Sequence, residues 1–501
     1  MKTYQKLEEH FRQYAALEAI ASLLNWDKSV MMPAEGIHQR ARQAAVLNVK
    51  MHEMLTAPQV GEWLAGADRK QLNPWQQANL DMMARMHVQA TAVSADLVSR
   101  KMLQEAKTEM VWRQARQDSD FKKVAPALEA LVELTRETAT AKSQKMQVPP
   151  YEALMDHYAP HMRIADVDVI FDDLAGFLPN FLNEVLDQQP PPLPLAGPFP
   201  VAAQEKLGRK LAELLGFDFK WGRLDISAHP FSMGIGGDVR ITTRYDEDDF
   251  LSAIQGVTHE VGHGFYDRHT PQEWQDQPVG ISGNMGMAIH ESQSLSLDMQ
   301  LGRSREFFRM LAPHAREAFG RSGPEWEPEN LYRTATQVTR GFIRVDADEV
   351  TYPLHIILRY RLERAMIDGT LQVRDLPEAW NSGMQDLIGA TPPNDRLGCL
   401  QDIHWYSGSF GYFPAYALGA IIAAQFVHTM KQGMPDVFQH VGAFTGWLRD
   451  NVQSQGGLYK PQDLIEKATG QRMTASFFKQ HLKERYQECS VTSAHGARRR
   501  A

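Results

Sequence analysis

Apolar residues recur at helical spacing along nearly the whole chain. Tyr4, Leu7, Phe11, Tyr14, Leu17, Ile20 and Leu24 form one stripe of an amphipathic helix over residues 4–24, which Asn25-Trp26-Asp27 and then Met32-Pro33 interrupt. The same period predicts helices over residues 36–56, 74–116, 121–145, 167–187 and 204–215, with Asn73-Pro74 and Pro149-Pro150 as punctuation. In the stretch 167–187 the stripe is Ile170, Leu174, Phe177, Leu178, Phe181, Leu182 and Val185, and Pro179 within it predicts a kink. All these stripes are read as core. The one low-complexity run, Pro190 to Pro200 (PPPLPLAGPFP), is stiff. Because similar helices flank it, it reads as a surface loop inside a single domain of residues 1–501 rather than as an interdomain linker. There is no internal repeat.

Alternation of period two occurs convincingly in one place. Asp238 to Tyr245 (DVRITTRY) sets Val239, Ile241, Thr243 and Tyr245 against Arg240, Thr242 and Arg244. Arg223 to Ser227 is the predicted partner strand, reached through residues 229–237, which would make a small antiparallel sheet. Asp246 to Asp249 then supply caps and first-turn acids for a following helix. The predicted fold class is therefore mainly α, with one small antiparallel sheet.

That following helix carries the most chemically pointed stretch, Thr258 to Asp267 (THEVGHGFYD). His259 and His263 lie four apart and so share a helical face, where two imidazoles can converge on one metal ion. Glu260 stands beside them, placed to take a proton from metal-bound water. Chance produces His-Glu-x-x-His in roughly a few per cent of chains this rich in histidine, so the residues that follow it decide. A catalytic zinc takes three protein ligands and leaves a position open for water. The candidate third ligand is Glu291, in Ile289-His290-Glu291-Ser292-Gln293-Ser294, with His290 as the alternative donor. The glycine-rich loop Gly280 to Gly286 suits the turn that would bring it back.

Composition narrows the class without changing it. The chain has 501 residues, of which 43% are hydrophobic and 23% charged, an ordinary soluble balance. A net charge of −8 and no basic stripe argue against a nucleic-acid partner, and Arg498-Arg499-Arg500 reads as a solvated tail. Cys399 and Cys489 cannot build a disulfide framework or a zinc knuckle. The charged N-terminal sequence lacks the apolar core of a signal peptide, and the longest apolar run, Phe413 to Val427, is too short to span a bilayer. A cytoplasmic location follows as the expectation.

Two further stretches are too irregular for scaffold. Gly341 to Glu349 mixes charges into a helical pattern without a clean polar face. Gly398 to Trp405 leads into Ser409 to Tyr416, rich in glycine and aromatics, with His404, Tyr412 and Tyr416 as polar tips. Composition fits the wall of a cleft and a tight helix junction equally.

Taken together these residues resemble the carboxypeptidase Taq family of zinc metallocarboxypeptidases. Five motifs stand in the family's order: Asp238-Val239-Arg240-Ile241-Thr242, the His-Glu-x-x-His at 259–263, His290 to Gln293, Ile343 to Asp348, and Gly398 to Trp405. The resemblance implies a long helical peptidase fold with a deep groove, a small sheet beside the metal, and a homodimer. It implies one zinc (cobalt being a possible substitute) on His259, His263 and Glu291, and peptide substrates with a free C-terminus. In line with it, His404 and Tyr416 are candidates for stabilising the charged carbonyl oxygen, with Tyr412 as the fallback. Arg240 and Arg344 are candidates for holding the C-terminal carboxylate, since the planar guanidinium bonds both oxygens. Thermolysin-like enzymes often have an Asp four residues after the third ligand; here that position is Leu295, so Ser294 or Asp298 would have to stand behind the histidines. Two rival readings remain: an oligoendopeptidase with the same zinc chemistry, and a helical binding scaffold with a vestigial metal site.

Overall fold

The computed structural model describes residues 2–487, so Cys489 and the tail Arg498-Arg499-Arg500 lie outside the described residues. The fold is mainly helical, with a single three-stranded sheet among the described residues. No described helix is long and apolar enough to cross a membrane. The chain forms two compact units. The first runs to Thr91 and adds Pro192–Ala335 and Phe426–Arg472; the second comprises Ala92–Pro191, Thr336–Gln425 and residues from Met473. The chain passes from second unit to first within the proline-rich run, between Pro191 and Pro192.

In the first unit the N-terminal helix, Lys2–Val30, runs through Asn25-Trp26-Asp27, where sequence predicts an interruption. Its stripe is core only in the first half. Tyr4, Leu7 and Phe11 join Val60, Leu72, Leu80 and Met83 in one cluster, each fully buried side chain contributing about 1.5–3 kcal/mol. Further along, Ile20 is 48% exposed, because the neighbouring helix Ile37–Thr56 buries none of its own residues. Trp26 explains the continuation. It is buried beneath two guanidiniums, with Arg223 and Arg240 at 4.8 and 4.2 Å from its ring. The polar triplet thus anchors the helix instead of ending it. The segment 74–116 does break: Ser94 is extended and accepts from the Leu97 N–H, capping a new helix, Ala95–Asp118, after Pro74–Thr91.

The sheet is mixed rather than antiparallel. Residues expected to serve as a connection themselves form β2 (Ser232–Ile235), which turns at Gly236 (φ 56°) and pairs antiparallel with β3 (Asp238–Thr243). That occupies one edge of β3, so β1 (Gly222–Ile226) pairs with the other and runs parallel to it. Val239 and Ile241 point to the helix Phe250–His269, and Arg240 alternates onto the opposite face over Trp26. Asp249 caps that helix, accepting from the N–H groups of Leu251 and Ser252.

Two glycines let this helix be packed from both sides. A Cβ on Gly264 would lie 2.9 Å from Val239 of the sheet, and one on Gly262 would lie 2.5 Å from Ser294 Cα. The second approach brings in the short helix Met287–Leu295, whose residues from Ala288 to Leu295 are all buried. In the second unit, Tyr352–Asp368 is the central helix. Its buried Glu363 accepts from Trp405 Nε1 (2.9 Å), Tyr151 Oη (3.1 Å) and the Gly411 N–H, so one carboxylate ties down both ends of the loop 405–411. Pro179 lies inside Ile164–Gln188 without ending it.

Candidate active site

His259 and His263 project from the middle of Phe250–His269, and Glu291 from Met287–Leu295. His263 Nε2 is 3.4 Å from one Glu291 oxygen and His259 Nε2 is 3.9 Å from the other. One donor atom from each of the three residues lies within 4.8 Å of the others. Ligands held tetrahedrally at about 2.0–2.2 Å from a zinc ion stand roughly 3.4 Å apart, so this set fits a zinc-sized ion with little adjustment.

The electrostatics also fit a cation. Glu260 is buried and its Oε2 has no hydrogen-bond partner among the described residues. Burial pushes its carboxyl up to about 7, although His259 pulls the other way. At His259, burial favours the neutral ring, yet Glu291, Asp298 and Glu260 outweigh it and hold the imidazole up at about 9. Three carboxyl groups therefore favour positive charge at this spot. His263 goes the other way, down to about 4, through burial and the neighbouring His290 and His259. It is neutral, as a metal ligand must be.

Behind the three converging donors lie further buried polar groups. After Leu295 the backbone widens into a π-helical turn, Ser296–Leu301, of a kind frequent at functional sites. It places Asp298 Oδ2 3.6 Å from His259 Nδ1, which is one of the two positions considered for this job. Ser294, the other, donates to the Glu291 carbonyl instead. His290 lies outside the converging donor set: its Nδ1 lies 2.6 Å from His263 Nδ1, and its Nε2 3.0 Å from Asp267 Oδ1. Asp267 was missed altogether. Its spacing, four residues beyond His263, is the signal that would have found it.

The second unit gathers the other predicted residues around one buried aspartate. Asp402 Oδ1 accepts from Arg344 Nε and Nη2 at 3.0 and 2.8 Å, and its Oδ2 accepts from Arg359 Nε at 2.7 Å. Burial would raise this carboxyl, but the two guanidiniums hold it far below the usual range. Gln401 Oε1 accepts from the Arg344 N–H and from Arg359 Nη2, fixing both. Two guanidiniums facing one carboxylate leave a surplus positive charge. His404 Nε2 lies 3.3 Å from Tyr416 Oη, and the Arg344 guanidinium covers the Tyr416 ring at 4.8 Å. Burial takes His404 down to about 4, so it is a neutral ring whose Nδ1 has no hydrogen-bond partner among the described residues. Tyr412 packs against His404 with ring centroids 5.3 Å apart. In the first unit, Arg240 is held by Asp238 at 2.6 Å as well as by Trp26.

The model of a family described as "Carboxypeptidase Taq (M32) metallopeptidase" matches residues 6–486. The Thermostable carboxypeptidase 1 of Thermus thermophilus is 36% identical over 502 residues, covering 96% of this chain and 98% of that protein. Among solved structures, the Metallocarboxypeptidase 1 of Trypanosoma cruzi superposes with a TM-score of 0.94 at 36% identity, covering 97% of this chain and 99% of that one. An M32 carboxypeptidase from Deinococcus radiodurans does so with a TM-score of 0.92 at 32% identity, covering 98% and 100%.

Proposed function

The chain belongs to the carboxypeptidase Taq (M32) metallopeptidases and is a metal-dependent carboxypeptidase, and from that premise we propose how its residues divide the work. His259 Nε2, His263 Nε2 and the Glu291 carboxylate hold one divalent ion, zinc, with cobalt as a workable substitute. The observation that carries this is the convergence of those donors within 4.8 Å beside a buried glutamate that has a free oxygen. Bound there, zinc supplies a Lewis acid and lowers the pKa of its water towards about 7. Glu260 moves the proton: Oε2 takes it from the attacking water and passes it to the nitrogen of the departing amino acid.

His404 and Tyr416 donate to the carbonyl oxygen as it becomes negative, with Tyr412 as the substitute donor. A neutral imidazole and a phenol are both able to donate, and the Glu363 clamp on the loop between them keeps their spacing fixed. Tyr416→Phe and His404→Ala should each lower kcat by about 10²–10³ with metal content unchanged. Effects confined to KM would place the stabilisation elsewhere.

Arg344 and Arg240 bind the terminal carboxylate of the peptide. The surplus charge around Asp402 supports this for Arg344, and the Asp238 pairing shows Arg240 gripping a carboxylate already. Losing one such charge-assisted bond costs about 1.5–3 kcal/mol, roughly a 10- to 150-fold fall in kcat/KM. The deciding experiment compares free-acid with C-terminally amidated peptides and identifies the products. Single C-terminal residues should be released from free acids, amides should be poor substrates, and the two Arg variants should narrow the gap. Equal cleavage of both, with internal fragments, would favour the oligoendopeptidase; no metal-dependent hydrolysis at all would favour the scaffold. The remaining reading is a cytoplasmic enzyme in which residues 1–501 work as one catalytic domain. Two copies form a homodimer, so sedimentation should give twice 56.7 kDa.

A further inference from the structure

We propose that His290 and Asp267 are positioning residues of the metal centre, which hold His263 in the one tautomer whose Nε2 lone pair faces the ion. This rests on the ligand set proposed above. A buried line of atoms fixes where each proton sits. Asp267 Oδ1 lies 3.0 Å from His290 Nε2 and also accepts from Ser282 Oγ at 2.5 Å. A carboxylate only accepts, so the proton between Asp267 and His290 sits on His290 Nε2. With that hydrogen on Nε2, His290 turns its other ring nitrogen, Nδ1, to His263 as an acceptor. That atom is 2.6 Å from His263 Nδ1, a separation that calls for one proton between the two nitrogens. The proton is therefore on His263 Nδ1, which donates to His290. His263 Nε2 is left bare, 3.4 Å from Glu291 Oε2, on the side where the ion would sit. The reverse order would put a hydrogen on His263 Nε2 and close the ligand position.

Packing shows that room is made for this line. Asp267 lies one helical turn beyond His263 on the same helix, and His290 directly precedes Glu291, so the short helix brings in a ligand and an orienting ring together. A Cβ on Gly234 would come within 2.1 Å of Asp267 Cβ, and one on Gly262 within 2.5 Å of Ser294 Cα. His263 and His290 are 8% and 9% exposed, so water is poorly placed to replace either partner. His259 is supported differently, by the single carboxylate of Asp298 at 3.6 Å.

The test measures zinc affinity by chelator competition in two substitutions that a packing role and a tautomer role rank in opposite order. His290→Phe keeps a ring against His263 and Tyr266 but removes the acceptor. His290→Gln loses the ring but offers an amide oxygen to the His263 Nδ1–H. The expected result is a zinc dissociation constant raised about 10- to 100-fold in His290→Phe, the range for lost outer-shell partners, and largely restored in His290→Gln. Asp267→Asn should fall between them. Wild-type affinity in His290→Phe, or tighter zinc binding by Phe than by Gln, would overturn the proposal. Should the variants fail to fold, nitrogen-15 spectra of histidine-labelled, zinc-loaded wild type still decide. They should show hydrogen on His263 Nδ1 and His290 Nε2, and the opposite pattern refutes it. His263→Ala measured in parallel separates the two readings. Full zinc occupancy there would mean that the ligand set itself is wrong, whereas lost zinc there beside unchanged binding in His290→Phe would sink only the positioning role.

Discussion

Glu260→Gln should purify with its full complement of metal and lose about 10²–10⁴ of kcat, the contribution typical of general acid–base catalysis. Glutamine matches glutamate in size and still fills the buried pocket, so the fold and the neighbouring donors have no reason to move. It cannot accept a proton, however, and nothing nearby takes over. Glu291 faces His259 and His263, Asp298 lies against His259, and Asp267 accepts from His290 and Ser282. Of these carboxylates only Glu260 and Asp298 keep a buried oxygen without a hydrogen-bond partner among the described residues, and Asp298 turns its other oxygen to His259. The measurement is steady-state kinetics alongside metal analysis of the same sample. A variant that keeps both its metal and most of its rate would remove Glu260 from the mechanism.

Removing a ligand should give the complementary result. His263→Ala and Glu291→Ala should each lose the metal and, with it, essentially all hydrolysis. A structural zinc site is worth about 10–16 kcal/mol across its four ligands, so one ligand accounts for roughly 3 kcal/mol, more than two powers of ten in affinity. Glu291→Ala carries an additional penalty. It takes away the carboxylate that, with Asp298 and Glu260, offsets positive charge in a site where burial opposes it. Elemental analysis after dialysis checks the first part, and added zinc tests whether mass action restores any rate. Full occupancy in both variants would show that the ion sits elsewhere. Comparing these with Glu260→Gln separates holding the metal from using it.

The parts of this arrangement that sequence reveals are those written in local spacing. Asp249 as a cap, the histidines four apart and the glycine-rich turn before Glu291 all act within a few residues, and the structure places them as that spacing predicts. What sequence did not reveal depends on contacts between distant segments. The direction of β1 depends on residues 232–235 forming a strand of their own, which reverses the chain once more before β3, and no single strand's alternation records that. Asn25-Trp26-Asp27 looks like a helix terminator until Arg223 and Arg240, some 200 residues away, cover the indole. The exposure of Ile20 is of the same kind, since a stripe shows which face is apolar but not whether anything arrives to cover it. His290 was legible as a metal-type residue and an alternative donor to Glu291, but the structure turns it to His263 and Asp267. Its neighbour Glu291 faces His259 and His263, and consecutive helical residues point about 100° apart.

That angle has a bearing on which changes of length this gene can survive. The helix Met287–Leu295 has no solvent face from Ala288 onward, so it cannot rotate to absorb an insertion. One residue added between Met287 and His290 would swing both side chains by about 100°, turning the ring and the carboxylate away from their stations together. The stretch from Thr270 to Gly286, made of short turns, can take up an extra residue by local rewinding. Insertions and deletions accepted over generations should therefore collect before Gly286 and stop there, leaving a nine-residue block whose length is inherited unaltered even where its letters change.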